Sequence, residues 1–198
     1  MARALQSRPG VVAVRRDRGF TLIEMMIVVA IIGILASLAV VGYRRLITSS
    51  HVAEATNMVQ NIRVAQEGYH AETQQYANIS LDVAGPYYPS NAPTGAQVTA
   101  WGAPCTVCIA GMDWSMLPLH VDGPVLFGYA TTAGPANTAP ADASVTVNGQ
   151  VLAFPSPSTV DWFIVSAKCD LDSDGKDPDT RVYTTSWANQ VYVDSEGY

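Results

Sequence analysis

Residues 20–43 read FTLIEMMIVVAIIGILASLAVVGY, and Glu24 carries the only charge in this stretch. A helix needs about 20 apolar residues to cross a hydrocarbon core, and this run meets that length. A secretory signal peptide has a shorter apolar core with a small-residue cleavage site after it. Here the run is longer, and the candidate cut lies ahead of it. Arg15, Arg16 and Arg18 flank its N-terminal side and favour a cytoplasmic N-terminus. Arg44 and Arg45 at the far end oppose that bias, but the four net positive charges of residues 1–19 outweigh them.

Beyond Arg45 the uniform apolar run gives way to an amphipathic one. Val52, Ala55, Val59, Ile62 and Tyr69 recur at three- and four-residue steps or their multiples. Glu54, Asn57, Gln60, Asn61, Arg63, Glu67 and His70 fill the other faces. That pattern is a helix half-buried against a partner layer. No proline interrupts residues 20–85, so the spacing predicts one helix from about residue 20 to about residue 75. At 1.5 Å per residue it is roughly 80 Å long.

Glu24 is the informative residue. An intramembrane acid is disfavoured at the bilayer centre and less so near the interface. It either sits at interface depth or pairs with a cation once the helix leaves lipid. The run Arg18-Gly19-Phe20-Thr21-Leu22-Ile23-Glu24, continued by IVVAIIGILAS at 27–37, resembles the processing site of type IV prepilins and pseudopilins. The resemblance implies that a prepilin peptidase cuts between Gly19 and Phe20 on the cytoplasmic side and N-methylates Phe20. It also implies self-assembly into a filament, with Glu24 neutralising the Phe20 amine of a neighbour in an apolar bundle. An acid and a base buried together are tolerated where either alone is not. Pilins often bend this helix at a proline, whereas this chain has Val41-Gly42.

The rest of the chain organises around that helix. The expected parts are a basic leader at 1–19, a membrane or filament-core half-helix at 20–45, an amphipathic half at 46–76, a Gly/Pro-rich loop at 77–124 and a sheet at 125–198. Strand patterns fall at 125–131, 144–147, 150–154, 161–166, 181–185 and 191–194, with Asn148-Gly149 a strong hairpin signal. The fold class is therefore α+β, a long N-terminal helix packed on an antiparallel sheet. This layout is similar to the pilin fold.

Three cysteines, Cys105, Cys108 and Cys169, all lie in the C-terminal body. In an exported protein they read as one disulfide and one spare thiol. Cys169, after an apolar strand, is the natural anchor for the long loop, while a Cys105–Cys108 bond closes only a small ring. A zinc set drawn from Cys105, Cys108, His120 and Cys169 is the weaker alternative in an oxidising compartment. Asp170, Asp172, Asp174 and Gly175 match the opening of a D-x-D-x-D-G calcium loop. The EF-hand glutamate position holds Arg181, and Asp177 and Asp179 are candidate replacements. An acidic surface turn explains the same residues without a metal.

After residue 19 the chain has six basic and 16 acidic residues. Such a body repels nucleic acid phosphates, so no nucleic acid partner is expected. No Ser/His/Asp or Cys/His arrangement and no phosphate loop marks an enzyme. No cofactor is required, and Ca2+ is the one candidate. The leading expectation is a type IV pilus subunit, held in a bacterial inner membrane before assembly into an extracellular fibre of adhesion or motility. A minor pilin or a periplasmic pseudopilin of type II secretion, served by that system's assembly machinery, has the same N-terminus. A monomeric membrane-anchored calcium- or ligand-binding module is the alternative of a different class.

Overall fold

The computed structural model describes residues 19–176 and 179–195. The chain divides into two units, 1–43 and 44–198. One helix, α1 (Leu22–Thr73), runs through the boundary. Thr21 precedes it as the N-cap, and Gln74, at φ 59°, ends it in a left-handed turn with its N–H on the His70 carbonyl at 2.8 Å.

In the first unit, residues 20–43 are exposed on every face. Among the described residues α1 is the one helix long and apolar enough to cross a membrane.

In the second unit, α1 buries Val52, Ala55, Val59, Ile62 and Ala65, a stripe at helical spacing. A short 3-10 turn, Trp114–Met116, interrupts the loop that follows. Strands β1 (Gly128–Gly134), β4 (Trp162–Cys169), β5 (Thr180–Thr185) and β6 (Ala188–Asp194) form an antiparallel sheet in the order β1-β4-β5-β6. Strands β2 (Ser144–Val147) and β3 (Gln150–Ala153) form a separate hairpin. Its turn places Asn148 at φ 48° and Gly149 at φ 74°, as a two-residue turn with both centres left-handed requires. The α+β class read from the sequence is the fold observed.

Strand β4 explains the apolar density of its sequence. Phe163, Val165, Ala167 and Cys169 face the cluster that holds the helix stripe. Trp162 and Ile164 face a second cluster with Val147 and Phe154. Both faces are covered, so strict alternation with polar residues is absent. The strand expected at 125–131 begins three residues later. Val125 instead pairs with Thr99 in the loop, and Leu126 and Phe127 enter the core from irregular backbone.

The long loop has order of its own. Tyr88, Trp101, Trp114 and Tyr129 form a connected ring cluster, with centroids 5.0–5.8 Å apart. Tyr88 also exchanges backbone hydrogen bonds with Tyr129 at 2.9 and 2.6 Å, which covers the outer edge of β1.

Candidate functional site

The start of α1 is built by Thr21 and Glu24. The Thr21 N–H and hydroxyl each donate to Glu24 Oε2 at 2.7 Å, and the Glu24 N–H donates to Thr21 Oγ1 at 3.2 Å. This is a capping box, in which each residue satisfies a donor the helix leaves free. Phe20, just ahead of it, is 83% exposed. Beyond its chain neighbours, Gly19 has no described residue within 4 Å of where a Cβ would stand. Among the described residues nothing packs on Gly19, and the Glu24 carboxylate, expected to meet a neighbour's amine, has a local role in the cap. Residues 1–18, which include most of the expected leader, lie outside the described residues.

The acidic loop follows β4. Asp170, Asp172 and Asp174 each offer a carboxylate oxygen within 4.8 Å of the others. Gly175 N–H donates to Asp170 Oδ2 at 3.0 Å, and Lys176 N–H donates to Asp174 Oδ1 at 2.8 Å. The other Asp170 oxygen is enclosed and has no partner among the described residues. Burial resists ionisation of Asp170, but the Gly175 N–H and neighbouring donors outweigh it and hold the carboxyl below its usual value. The hydrogen bond shared with Asp170 pushes Asp172 the other way, upward. Asp172 therefore ionises less readily than Asp170. Asp179 is not gathered with them: it is nearly buried and pairs with Lys168. Asp177 lies outside the described residues.

The backbone of Asp170 also holds the long loop. Gly95 N–H donates to the Asp170 carbonyl at 2.7 Å, and Asp170 N–H donates to the Pro93 carbonyl at 3.1 Å. Gly95 lies so close to Leu171 that a Cβ there would collide with its carbonyl.

Residues 14–40 match the family model described as the prokaryotic N-terminal methylation motif, which takes in Gly19, Phe20 and Glu24. The chain is 36% identical over 93 residues to the type IV major pilin protein PilA of Myxococcus xanthus, a match covering 46% of this chain and 41% of that protein. Against the fimbrial protein EcpC of Eikenella corrodens it is 38% identical over 94 residues, 42% of this chain and 61% of that one. Against a fimbrial protein of Neisseria meningitidis it is 32% identical over 119 residues, 55% of this chain and 70% of that one. The chain belongs to the type IV pilin family. Its match spans less than two thirds of the first two relatives. These relatives carry the names of pilins and fimbrial proteins, and none of the three names an enzyme. No solved structure matches the chain.

In this pilin-family chain the disulfide joins Cys105 to Cys108, with Cα atoms 5.6 Å apart, and Cys169 is free. This corrects the expectation that Cys169 anchors the loop, and it dissolves the zinc set. The physical reason is the parity of β4: Cys169 sits on the helix-facing side with Phe163, Val165 and Ala167, fully buried. Burial, with the nearby acids adding, pushes its thiol up to about 12. The loop is held instead by the ring cluster and by the Asp170 backbone.

Two residues with structural roles escaped the sequence reading. Thr21 had a signal, the T-x-x-E spacing of a capping box. Gln66 had none, because it falls within the apolar stripe. It is fully buried, donates to the Ala77 carbonyl at 2.8 Å and Thr131 Oγ1 at 3.0 Å, and accepts the Ala77 N–H at 2.8 Å.

Proposed function

We propose that this chain is a filament subunit of a type IV pilus, cut between Gly19 and Phe20, methylated at Phe20 and assembled through its apolar helix. One observation carries the reading. Large apolar side chains from Phe20 to Leu46 are exposed, and no described residue covers them. Apolar surface on that scale belongs in lipid or against other copies. The subunit waits in the inner membrane, where the prepilin peptidase meets it, and the pilus machinery then draws it into the fibre. The names of the relatives, major pilin and fimbrial protein, favour a pilus over a secretion pseudopilus. Sheared filaments from cells producing the chain are the test. The expected subunit begins at a methylated Phe20. Recovery only as a monomer in the membrane, or filaments still carrying residues 1–19, would sink the reading.

A second reading, favoured by the convergence of Asp170, Asp172 and Asp174, is that their loop holds a calcium ion. Calcium takes oxygen ligands at about 2.3–2.6 Å in flexible geometry, which suits carboxylates at this separation. The unpartnered Asp170 oxygen fits the same role. Calorimetric titration of the full chain in detergent with calcium tests it. Binding is expected for the parent and lost in Asp172→Asn, and no heat from the parent excludes it.

A further inference from the structure

Arg44 and Arg45 stand side by side on α1, both exposed, and neither has an ion-pair partner among the described residues. They are the adjacent cations of an otherwise acidic body. The other described Lys and Arg side chains are engaged: Lys168 with Asp179, Lys176 with Asp174, Arg63 with the Ala188 carbonyl and the Asn189 side chain, and Arg181 with Tyr183.

The opposite charge lines a cavity of about 260 Å³ in the same unit. Glu54, Asn57 and Asn61 of α1, Tyr129 of β1, and His120 and Asp122, themselves paired at 3.0 Å, line it. Glu54 Oε1 accepts the Leu126 N–H at 3.1 Å, while Oε2 has no partner among the described residues. Tyr129 is fully buried, yet its hydroxyl also lacks a partner among them. Burial, with the Glu54 charge adding, pushes the phenol pKa upward, so the group stays a neutral hydroxyl whose oxygen can accept. A buried hydroxyl and a free carboxylate oxygen lining one cavity call for a donor-rich cation.

A bare metal ion fits poorly. Glu54, His120 and Asp122 do not converge as Asp170, Asp172 and Asp174 do, the one such group among the described residues. A guanidinium fits better, because its fork of five donors can serve a carboxylate, amide carbonyls and a phenol together. The chain's own arginines cannot supply it. Glu54 is nine residues beyond Arg45, about 14 Å along the helix.

We propose that the Arg44–Arg45 pair of a second copy docks in the Glu54–Tyr129 cavity, joining neighbouring subunits. This rests on the filament reading above. Two acidic bodies repel one another when packed, and a basic pair set on an acidic cavity offsets that repulsion and fixes register. The charge-assisted bonds would strengthen as packing excludes water.

Two copies with different tags, one Arg45→Cys and one Asp122→Cys, are produced together and their filaments oxidised. A disulfide-linked heterodimer is expected in filaments and not in unassembled protein in detergent. Filaments that contain both copies without the link overturn the proposal and leave the pilus reading standing. A wild-type chain that forms no filaments removes both. Should the cysteine copies fail to assemble, Tyr129→Phe and Glu54→Gln decide. Each is expected to melt as a monomer like the parent, while its filaments dissociate at lower salt. Arg44→Gln with Arg45→Gln is expected to do the same, and adding Glu54→Gln to that pair should cause no further loss. Filaments as salt-resistant as the parent's, or arginine variants that lose only membrane retention, overturn the proposal.

Discussion

Thr21 and Glu24 cap α1 reciprocally, each side chain accepting from the other's backbone N–H. The lone acid of the apolar run thus serves its own helix before any neighbour arrives. Two roles follow, and they separate by chemistry. Glu24→Gln keeps an acceptor oxygen and the capping spacing but removes the charge. Glu24→Ala removes both. We expect both variants to insert and be cut. Pairing with a neighbour's amine predicts sharply reduced filament yield for both, measured by sedimentation. Normal filaments from Glu24→Gln, with loss only in Glu24→Ala, would assign the residue to capping alone.

Gly19 allows a clean test of processing. Beyond its chain neighbours, no atom of the described residues lies within 4 Å of its hypothetical Cβ, so a side chain there disturbs none of their packing. Gly19→Val is expected to leave thermal unfolding of the body unchanged while uncut precursor accumulates in the membrane. N-terminal peptide mass spectrometry and gel mobility would show it. Normal processing of Gly19→Val would mean that the peptidase does not read this glycine.

How far these features were legible varies with their range. The helix was readable because its period is local, and its ends moved by only two residues, to the Thr21 cap and the Gln74 turn. The central position of β4 was readable because both faces are apolar. The start of β1 was not, since Val125, Leu126 and Phe127 look like strand but serve the core from irregular backbone. The disulfide pairing was not legible, because parity along β4, not distance along the chain, buries the Cys169 thiol. Asp179 resembled its neighbours in composition, and only the pairing of β4 with β5 places it against Lys168. Gln66 was hidden for the opposite reason: a polar residue in an apolar stripe gives no signal until its partners are known.

Gln66 ties the end of α1 to the chain returning toward β1. Gln66→Leu keeps the volume but strands the Ala77 N–H, the Ala77 carbonyl and the Thr131 hydroxyl in the interior. A stranded buried polar group costs about 1–3 kcal/mol, so a loss of roughly 2–4 kcal/mol is expected after partial relaxation. Gln66→Glu should be worse at neutral pH, since a carboxylate cannot donate to the Ala77 carbonyl. Denaturant unfolding of the full chain in detergent would measure it. A change below about 0.5 kcal/mol for Gln66→Leu would place it among ordinary surface substitutions and deny the tie.

The acidic loop should respond to pH and calcium together. The Asp172 carboxyl is raised by its bond to Asp170, so its contribution is present at low pH and lost as pH rises through the folded value. The Asp170 carboxyl is lowered, so its contribution is lost only as pH falls through its own folded value. In chelator the loop is therefore tightest in the acidic window between the two values and loosens toward neutrality. Calcium binds the ionised carboxylates and should reverse that trend, so its stabilising effect grows from pH 4 to pH 7. At a hundredfold excess over Kd the gain is about 2.7 kcal/mol. Asp172→Asn should abolish both the slope in chelator and the response to calcium. Because Asp170 holds Pro93 and Gly95 through its backbone, amide exchange of residues 94–97 should slow with calcium as well. Melting curves that coincide in calcium, magnesium and chelator at pH 7, with exchange unchanged, would leave the loop a charged turn.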